Sequence, residues 1–221
     1  MTHDSSRIRY QVQQQAGLDP ARRGGGTLFT ESVLVVNQRD KLVETSNEYD
    51  VYDQNGNRLG TVAQVGQGRF ARAVRLLGKN DQFKTVELEV RDPHGAPLLR
   101  ITRPAKVFKS RVLVQRPDGS EVGEIRQENV FGRISFSILA AQQRIGGITA
   151  KNLRARDFTV TDHTDVEVAQ IIQTWEGLTK ALFSTADNYV VRIHRHRPEP
   201  LASMIVASAL TVDTALKQDS R

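Results

Sequence analysis

YDVYDQNGNRLGTVAQV, residues 49–65, alternates apolar and polar side chains on either side of a short polar turn. A period of two belongs to a half-buried strand. The turn supplies an Asp that can close a local side-chain loop and a Gly that takes positive φ without steric cost, so the segment reads as a β-hairpin. The plan returns in LEVRDPHGAPLLRITRP (88–104), VLVQRPDGSEVGEIRQE (112–128), FSILAAQQRIGGITA (136–150) and FTVTDHTDVEVAQIIQT (158–174). Three of the turns pair an Asp with a Gly, at Asp53/Gly56, Asp92/Gly95 and Asp118/Gly119, and the last two copies have weaker turns. Five hairpins are ten strands, and VLVVNQRDKLVE (33–44) and NYVVRIH (188–194) bring the count to twelve.

An open antiparallel sheet of that size leaves long unpaired edges, which closure removes. The fold class is therefore mainly β, a closed antiparallel barrel of about twelve strands. Eight strands enclose only their own side chains and sixteen leave an aqueous channel, so about twelve leave a lumen wide enough for one helix. LASMIVASALTVDTAL (201–216) fits that space. Pro198 and Pro200 suit a helix start, Leu201, Met204, Ile205, Val206, Leu210, Val212 and Leu216 point all around it, and Ala202, Ala207, Ser208 and Ala209 keep it slim. At about 1.5 Å per residue it spans roughly 24 Å, short of a hydrocarbon core of about 30 Å. The pattern predicts a central hydrophobic helix over 199–217, a membrane-inserted or partner-bound helix being the alternative.

Around this barrel the polar run 1–30, which includes Asp19-Pro20-Ala21-Arg22-Arg23-Gly24-Gly25-Gly26, reads as a flexible tail, and 31–221 as a single domain. The start of the chain has no apolar h-region, so a cytoplasmic location is expected. The chain has no cysteine, which excludes disulfides, thiolate zinc, iron–sulfur sites and a cysteine nucleophile. No G-x-S-x-G, phosphate-loop or H-E-x-x-H pattern is present, so an enzyme is not expected. Lys plus Arg number 31 against 25 Asp plus Glu, a net +6. Residues 51–110 hold 11 basic and 5 acidic residues, so the whole excess lies there.

VNQRDKLVETSNEYDVYDQNGNRLGTVAQ (36–64) resembles the opening of the phospholipid scramblase family, and LEVRDPHGAPLLRITRP resembles a later segment of it. VGEIRQ, DFTVTD, TWEG, STADNYVVRIH and the apolar C-terminal stretch follow in the same order as in scramblases and LURP-one-related proteins. The resemblance covers about residues 33–216. It implies the tubby-like fold, a twelve-stranded barrel around a hydrophobic C-terminal helix, and anionic-phospholipid binding with bidirectional transbilayer phospholipid movement. It also implies a peripheral position at the inner face of the plasma membrane.

The carry-over thins at individual residues. The family's calcium-associated segment has the form acid-x-acid-Asn-aromatic, and here it reads Thr185-Ala186-Asp187-Asn188-Tyr189, with the first acid missing. Calcium takes about six to eight oxygen ligands, so no cofactor or metal, calcium included, is expected. The family's cysteine-rich acylation loop corresponds to GQGRFARAVRLLGKNDQFK (66–84), which has no cysteine but carries Arg69, Arg72, Arg75, Lys79 and Lys84. These, with Arg103, Lys106 and Lys109 of a second basic group that also holds Arg100 and Arg111, are the candidate lipid-binding residues; a solvated basic connection is the alternative. His194 and His196 share a strand face among arginines, which opposes a bound cation, and Trp175 reads as a packing anchor. The expected partner is an anionic membrane surface. The other reading is a soluble module that binds a protein or, less in keeping with the pattern, nucleic acid.

Overall fold

The computed structural model describes residues 3–19, 25–38, 48–65, 85–105, 109–129, 132–151, 157–174, 188–195 and 197–219, with side chains of the last segment described through 212. Twelve strands form one sheet: β1 (Val33–Gln38), β2 (Glu48–Tyr52), β3 (Arg58–Val65), β4 (Val86–Arg91), β5 (Pro97–Arg103), β6 (Arg111–Gln115), β7 (Glu121–Gln127), β8 (Ser135–Ala140), β9 (Gln143–Ala150), β10 (Asp157–Asp162), β11 (Glu167–Thr174) and β12 (Asn188–Ile193). Each strand pairs antiparallel with the next, and β1 pairs with β12, so the barrel closes. The expected hairpins and flanking strands are present; of the first flanking strand, 33–38 is described and 39–44 lies outside the described residues, and the last runs to Ile193.

Three of the five hairpin turns share one device. Asp53 Oδ1 accepts from the N–H groups of Asn55 and Asn57, and Asp92 Oδ1 from those of His94 and Ala96. Asp162 Oδ1 likewise accepts from Thr164 and Val166. Three residues after the first two aspartates stand Gly56 at φ 89° and Gly95 at φ 90°. After Asp162 that place is taken by Asp165, at φ 60°, and the fourth turn runs through Ala141 at φ 47° and Gln142 at φ 63°. Asn and Asp tolerate that region and Ala does so less well, which is why those two turns are faint in the sequence.

Asp162 also ties the turn to the helix lead-in, because its Oδ2 meets Arg197 Nη2 at 3.1 Å. The hydrogen bond from the Thr164 hydroxyl, assisted by backbone N–H donors and by Arg197, outweighs burial and holds the Asp162 carboxyl below the ordinary aspartate value. A depressed folded-state value stabilises above the unfolded value of about 3.9 and is lost as pH falls through the folded one. Asp162→Asn is thus expected to lower the melting temperature at pH 7, with the gap from the native protein closing below about pH 3.9. Melting curves across that range check it, and a gap independent of pH contradicts it.

The lumen holds α2 (Leu201–Asp219). Residues 203–212 are all buried, and Leu201, Met204, Ile205, Val206, Ala207, Ala209, Leu210 and Val212 join one core with inward residues such as Leu34, Val62, Val90, Val114, Ile125, Ile138, Val160 and Val191. Its polar groups are satisfied without solvent: Ser208 Oγ donates to the Met204 carbonyl at 2.7 Å, and Thr211 Oγ1 to that of Ala207 at 2.8 Å. Met204 lies over Gly123 of β7. A Cβ there would stand 2.4 Å from the Leu139 carbonyl and 3.0 Å from Met204 Sδ, so only glycine fits between helix and wall.

The N-terminal residues differ from the expected flexible tail. α1 (His3–Tyr10) continues through a π-helical turn, Gln11–Gln15, and packs outside the barrel seam. Ile8, Val12 and Leu18 are buried with Val33 and Val35 of β1 and Val190 of β12. Gln11 and Asn37 exchange amide hydrogen bonds, Nε2 to Oδ1 at 3.1 Å and Nδ2 to Oε1 at 3.2 Å, both side chains being buried. Three apolar anchors in a polar segment give too weak a periodicity to read as a helix, but suffice once an apolar strip is waiting for them. Gln11→Leu leaves the Asn37 amide unmet at about 1–3 kcal/mol. It is expected to speed tryptic cleavage after Arg9 while leaving the barrel's melting temperature nearly unchanged.

Candidate functional site

The alternation of strand direction gives the barrel two unlike ends. The tight hairpin turns, the lead-in to α2 and the start of β1 share one end. The strand ends at the other are joined by the longer connections 39–47, 66–85, 104–110, 128–134, 151–156 and 175–187, most of whose residues lie outside the described ones. Those six connections carry 14 Lys and Arg against 6 Asp and Glu. The five tight turns, 53–57, 92–96, 116–120, 141–142 and 163–166, carry one Arg, Arg116, against four Asp. The excess of positive charge is thus carried by the long connections and not by the tight turns.

Most of the candidate lipid-binding residues fall within these connections. Arg69, Arg72, Arg75, Lys79 and Lys84 fall in the β3–β4 connection and Lys106 in the β5–β6 connection, all outside the described residues. Lys109 is exposed, and its Nζ donates to the Glu128 carbonyl, tying two connections together. Arg103 departs from the expectation. It ends β5 in phase with inward-facing Leu99 and Ile101 and is 8% exposed, so its side chain is buried and not open to a head group.

Beside Lys109 the outer wall holds an arrangement not foreseen as a unit. Arg111 opens β6, Arg126 stands directly across from it on β7, and both engage Glu124. Glu124 Oε1 accepts from Nε of Arg126 at 2.9 Å and Oε2 from Arg126 Nη2 at 3.2 Å, while Arg111 Nε makes an ion pair with Oε1 at 2.9 Å. The carboxylate is 2% exposed, flanked across the strands by Leu113 and Leu139. Its hydrogen bond, then its charge, raises the Arg126 guanidinium above its ordinary value, with Glu128 adding a smaller effect. Glu124 and Arg126 lie two apart and share a strand face, which is legible from period-two spacing. Their meeting with Arg111 depends on a bulge at Val114/Gln115, which shifts the β6–β7 register by one residue and leaves no mark in composition.

The remaining candidates are placed elsewhere. Thr185 and Asp187 lie outside the described residues, whereas Asn188 and Tyr189 serve the seam: Asn188 Oδ1 accepts from the Gln38 N–H at 3.1 Å, and Tyr189 is buried inward. Among the described residues no three His, Cys, Asp or Glu gather as a metal site. His194 Nε2 meets Glu167 Oε1 at 2.9 Å, at the tight-turn end. His196 and Trp175 are outside the described residues. No helix among the described residues is long and apolar enough to cross a membrane.

Comparison with known proteins bears on the same stretch of chain. The family model described as Scramblase matches residues 27–216. A phospholipid scramblase family protein of Schizosaccharomyces pombe is 23% identical over 192 residues, covering 80% of this chain and 50% of the relative, so the chain spans about half the length of that curated protein. An X-ray structure of a protein from Arabidopsis thaliana superposes with a TM-score of 0.50 at 16% identity, covering 90% of this chain and 100% of that one. At that identity the likeness speaks for the fold alone.

Proposed function

Because the chain belongs to the Scramblase family, matched over residues 27–216, we propose that it associates peripherally with membranes by binding anionic phospholipid through the rim of long connections. The single observation behind this reading is the division of charge between the two kinds of link, 14 cations against 6 anions in the long connections and the reverse sign in the tight turns. Each Lys or Arg near an anionic surface contributes about 1 kcal/mol, and the anionic leaflet of a cell is the cytoplasmic one. The protein then stands end-on, with the tight turns and the start of α2 away from the lipid. Phe70, Val74, Leu76 and Leu77, interleaved with the arginines of 66–84, add apolar contact to the electrostatic attraction.

Transbilayer movement of phospholipid is the further activity that family membership suggests. It requires a polar path through the bilayer, and α2, enclosed from 203 to 212, is not available to line one while the barrel is closed. Surface binding is therefore the primary function in this reading, and lipid movement a step that needs the barrel to open or a partner to join.

Co-sedimentation with vesicles tests the binding. The protein is expected to pellet with phosphatidylserine-containing vesicles at low salt, to be released as ionic strength rises past about 0.15 M, where screening reaches about 8 Å, and to ignore pure phosphatidylcholine. Equal binding to both vesicle types, or none to either at low salt, overturns the reading.

A further inference from the structure

Glu124 is sealed, yet both of its cationic partners are half-open to solvent, Arg111 at 54% and Arg126 at 45%. Arg126 donates Nε and Nη2 to the carboxylate, and Arg111 faces it through Nε in an ion pair at 2.9 Å. The two Nη groups of Arg111 and Nη1 of Arg126 meet no acceptor among the described residues. Two guanidinium groups directly opposite one another repel, and one shared carboxylate cancels only half of their charge. What remains is a pair of forks with a net positive charge, fixed in direction by a buried anion and with unspent N–H groups at the surface. A fork of this kind matches the separation of oxygens on a phosphate, and fixing it beforehand removes much of the ordering cost of binding.

We infer that Arg111 and Arg126 form a clamp for a phosphate monoester, with Glu124 as the residue that positions them. A monoester offers three terminal oxygens and close to two negative charges, enough to engage both forks, where a diester offers two oxygens and one charge. Lys109, exposed on the same rim, adds attraction, while the Glu128 carboxylate close to Arg126 subtracts from it. The same chemistry is carried by a lipid head group or by a soluble phosphate, and the lipid source alone rests on the membrane reading above.

The full chain serves for the test. Titrated with inorganic phosphate at constant ionic strength, the Arg111 and Arg126 Nε–H resonances are expected to shift saturably, with chloride producing no such shift. Arg111→Lys with Arg126→Lys keeps both charges and the ion pair but removes the forks, and it is expected to cost at least about tenfold in phosphate affinity, the size of one charge-assisted hydrogen bond. Glu124→Gln separates positioning from simple attraction. It raises the net charge by one, so a merely electrostatic patch would bind phosphate more tightly, whereas a clamp that has lost its anchor binds more weakly.

A second arm compares phosphatidylcholine vesicles doped with phosphatidic acid, a monoester, against vesicles of equal surface charge made with phosphatidylserine. A preference for the monoester vesicles that disappears in the double Lys variant supports a lipid ligand. Phosphate binding with no preference between vesicles supports the clamp with a soluble ligand. Phosphate binding without any vesicle binding supports the clamp and overturns the membrane reading. Vesicle binding with equal responses to phosphate and chloride overturns the clamp and leaves the membrane reading in place.

Discussion

Gly123→Val lowers the melting temperature by about 6–12 °C, the expected result of forcing a side chain between helix and wall. Even a Cβ at this position stands 2.4 Å from a backbone carbonyl, that of Leu139, which cannot swing aside, and 3.0 Å from the sulfur of Met204. Overpacking of a tight core costs about 1–3 kcal/mol, and the γ-methyls of valine take the upper end. In a domain of this size each kcal/mol moves the melting temperature by about 2–4 °C. Gly95→Ala is the comparator, because that turn glycine has positive φ but no atom within 4 Å of the place its Cβ would take. Its cost is backbone strain alone, about 1 kcal/mol. Adding Met204→Ala to Gly123→Val recovers none of the clash with the Leu139 carbonyl, so the double variant should melt lower still. Equal melting of Gly123→Val and the native protein would contradict the tight approach of β8 and α2 to this position.

Reversing three charges, Arg69, Arg72 and Arg75 to Glu, is expected to lower partitioning onto anionic vesicles by more than about 100-fold at low salt. Removing three basic residues subtracts about 3 kcal/mol at roughly 1 kcal/mol each, and each 1.4 kcal/mol is about a factor of ten. The new carboxylates add repulsion. Melting is expected to be unaffected, since the change falls between the described ends of β3 and β4 and touches no residue of the described core. The measurement is vesicle co-sedimentation of both proteins at matched lipid concentration, with neutral vesicles as the reference. If the reversed protein pellets as the native one does, the 66–85 connection is not the contact, and the weight passes to the other basic connections of the same rim.

The barrel was legible because its information is local. Asp53 with Gly56 and Asp92 with Gly95 announce turns at fixed offsets, and alternating side chains on either side leave one face for the core. The all-round apolar stretch from Leu201 needed only a lumen to enter. What escaped depends on distant parts meeting. Ile8 and Val12 find partners on strands that close the sheet, and no local rule announces that an outer face will be apolar there. Arg103 sits in a basic group by sequence, yet its side chain at the end of β5 is buried. Arg111, Glu124 and Arg126 become one unit through a bulge, a one-residue slip that composition cannot record.

The pairing of β1 with β12 also sets the order in which the molecule can be made. The hydrogen bond from the Gln38 N–H to Asn188 Oδ1 joins residues 150 positions apart. Contacts between distant parts of a chain are slow to form, because the intervening segment must be ordered first. Until Asn188–Ile193 has left the ribosome, β1 presents an open edge and the lumen has no tenant, since α2 follows in the chain. The hairpins can form as they emerge, but the core cannot be sealed until synthesis reaches the helix. During that interval the nascent sheet exposes an unpaired edge and an apolar interior together, a state that invites both misassociation and chaperone capture.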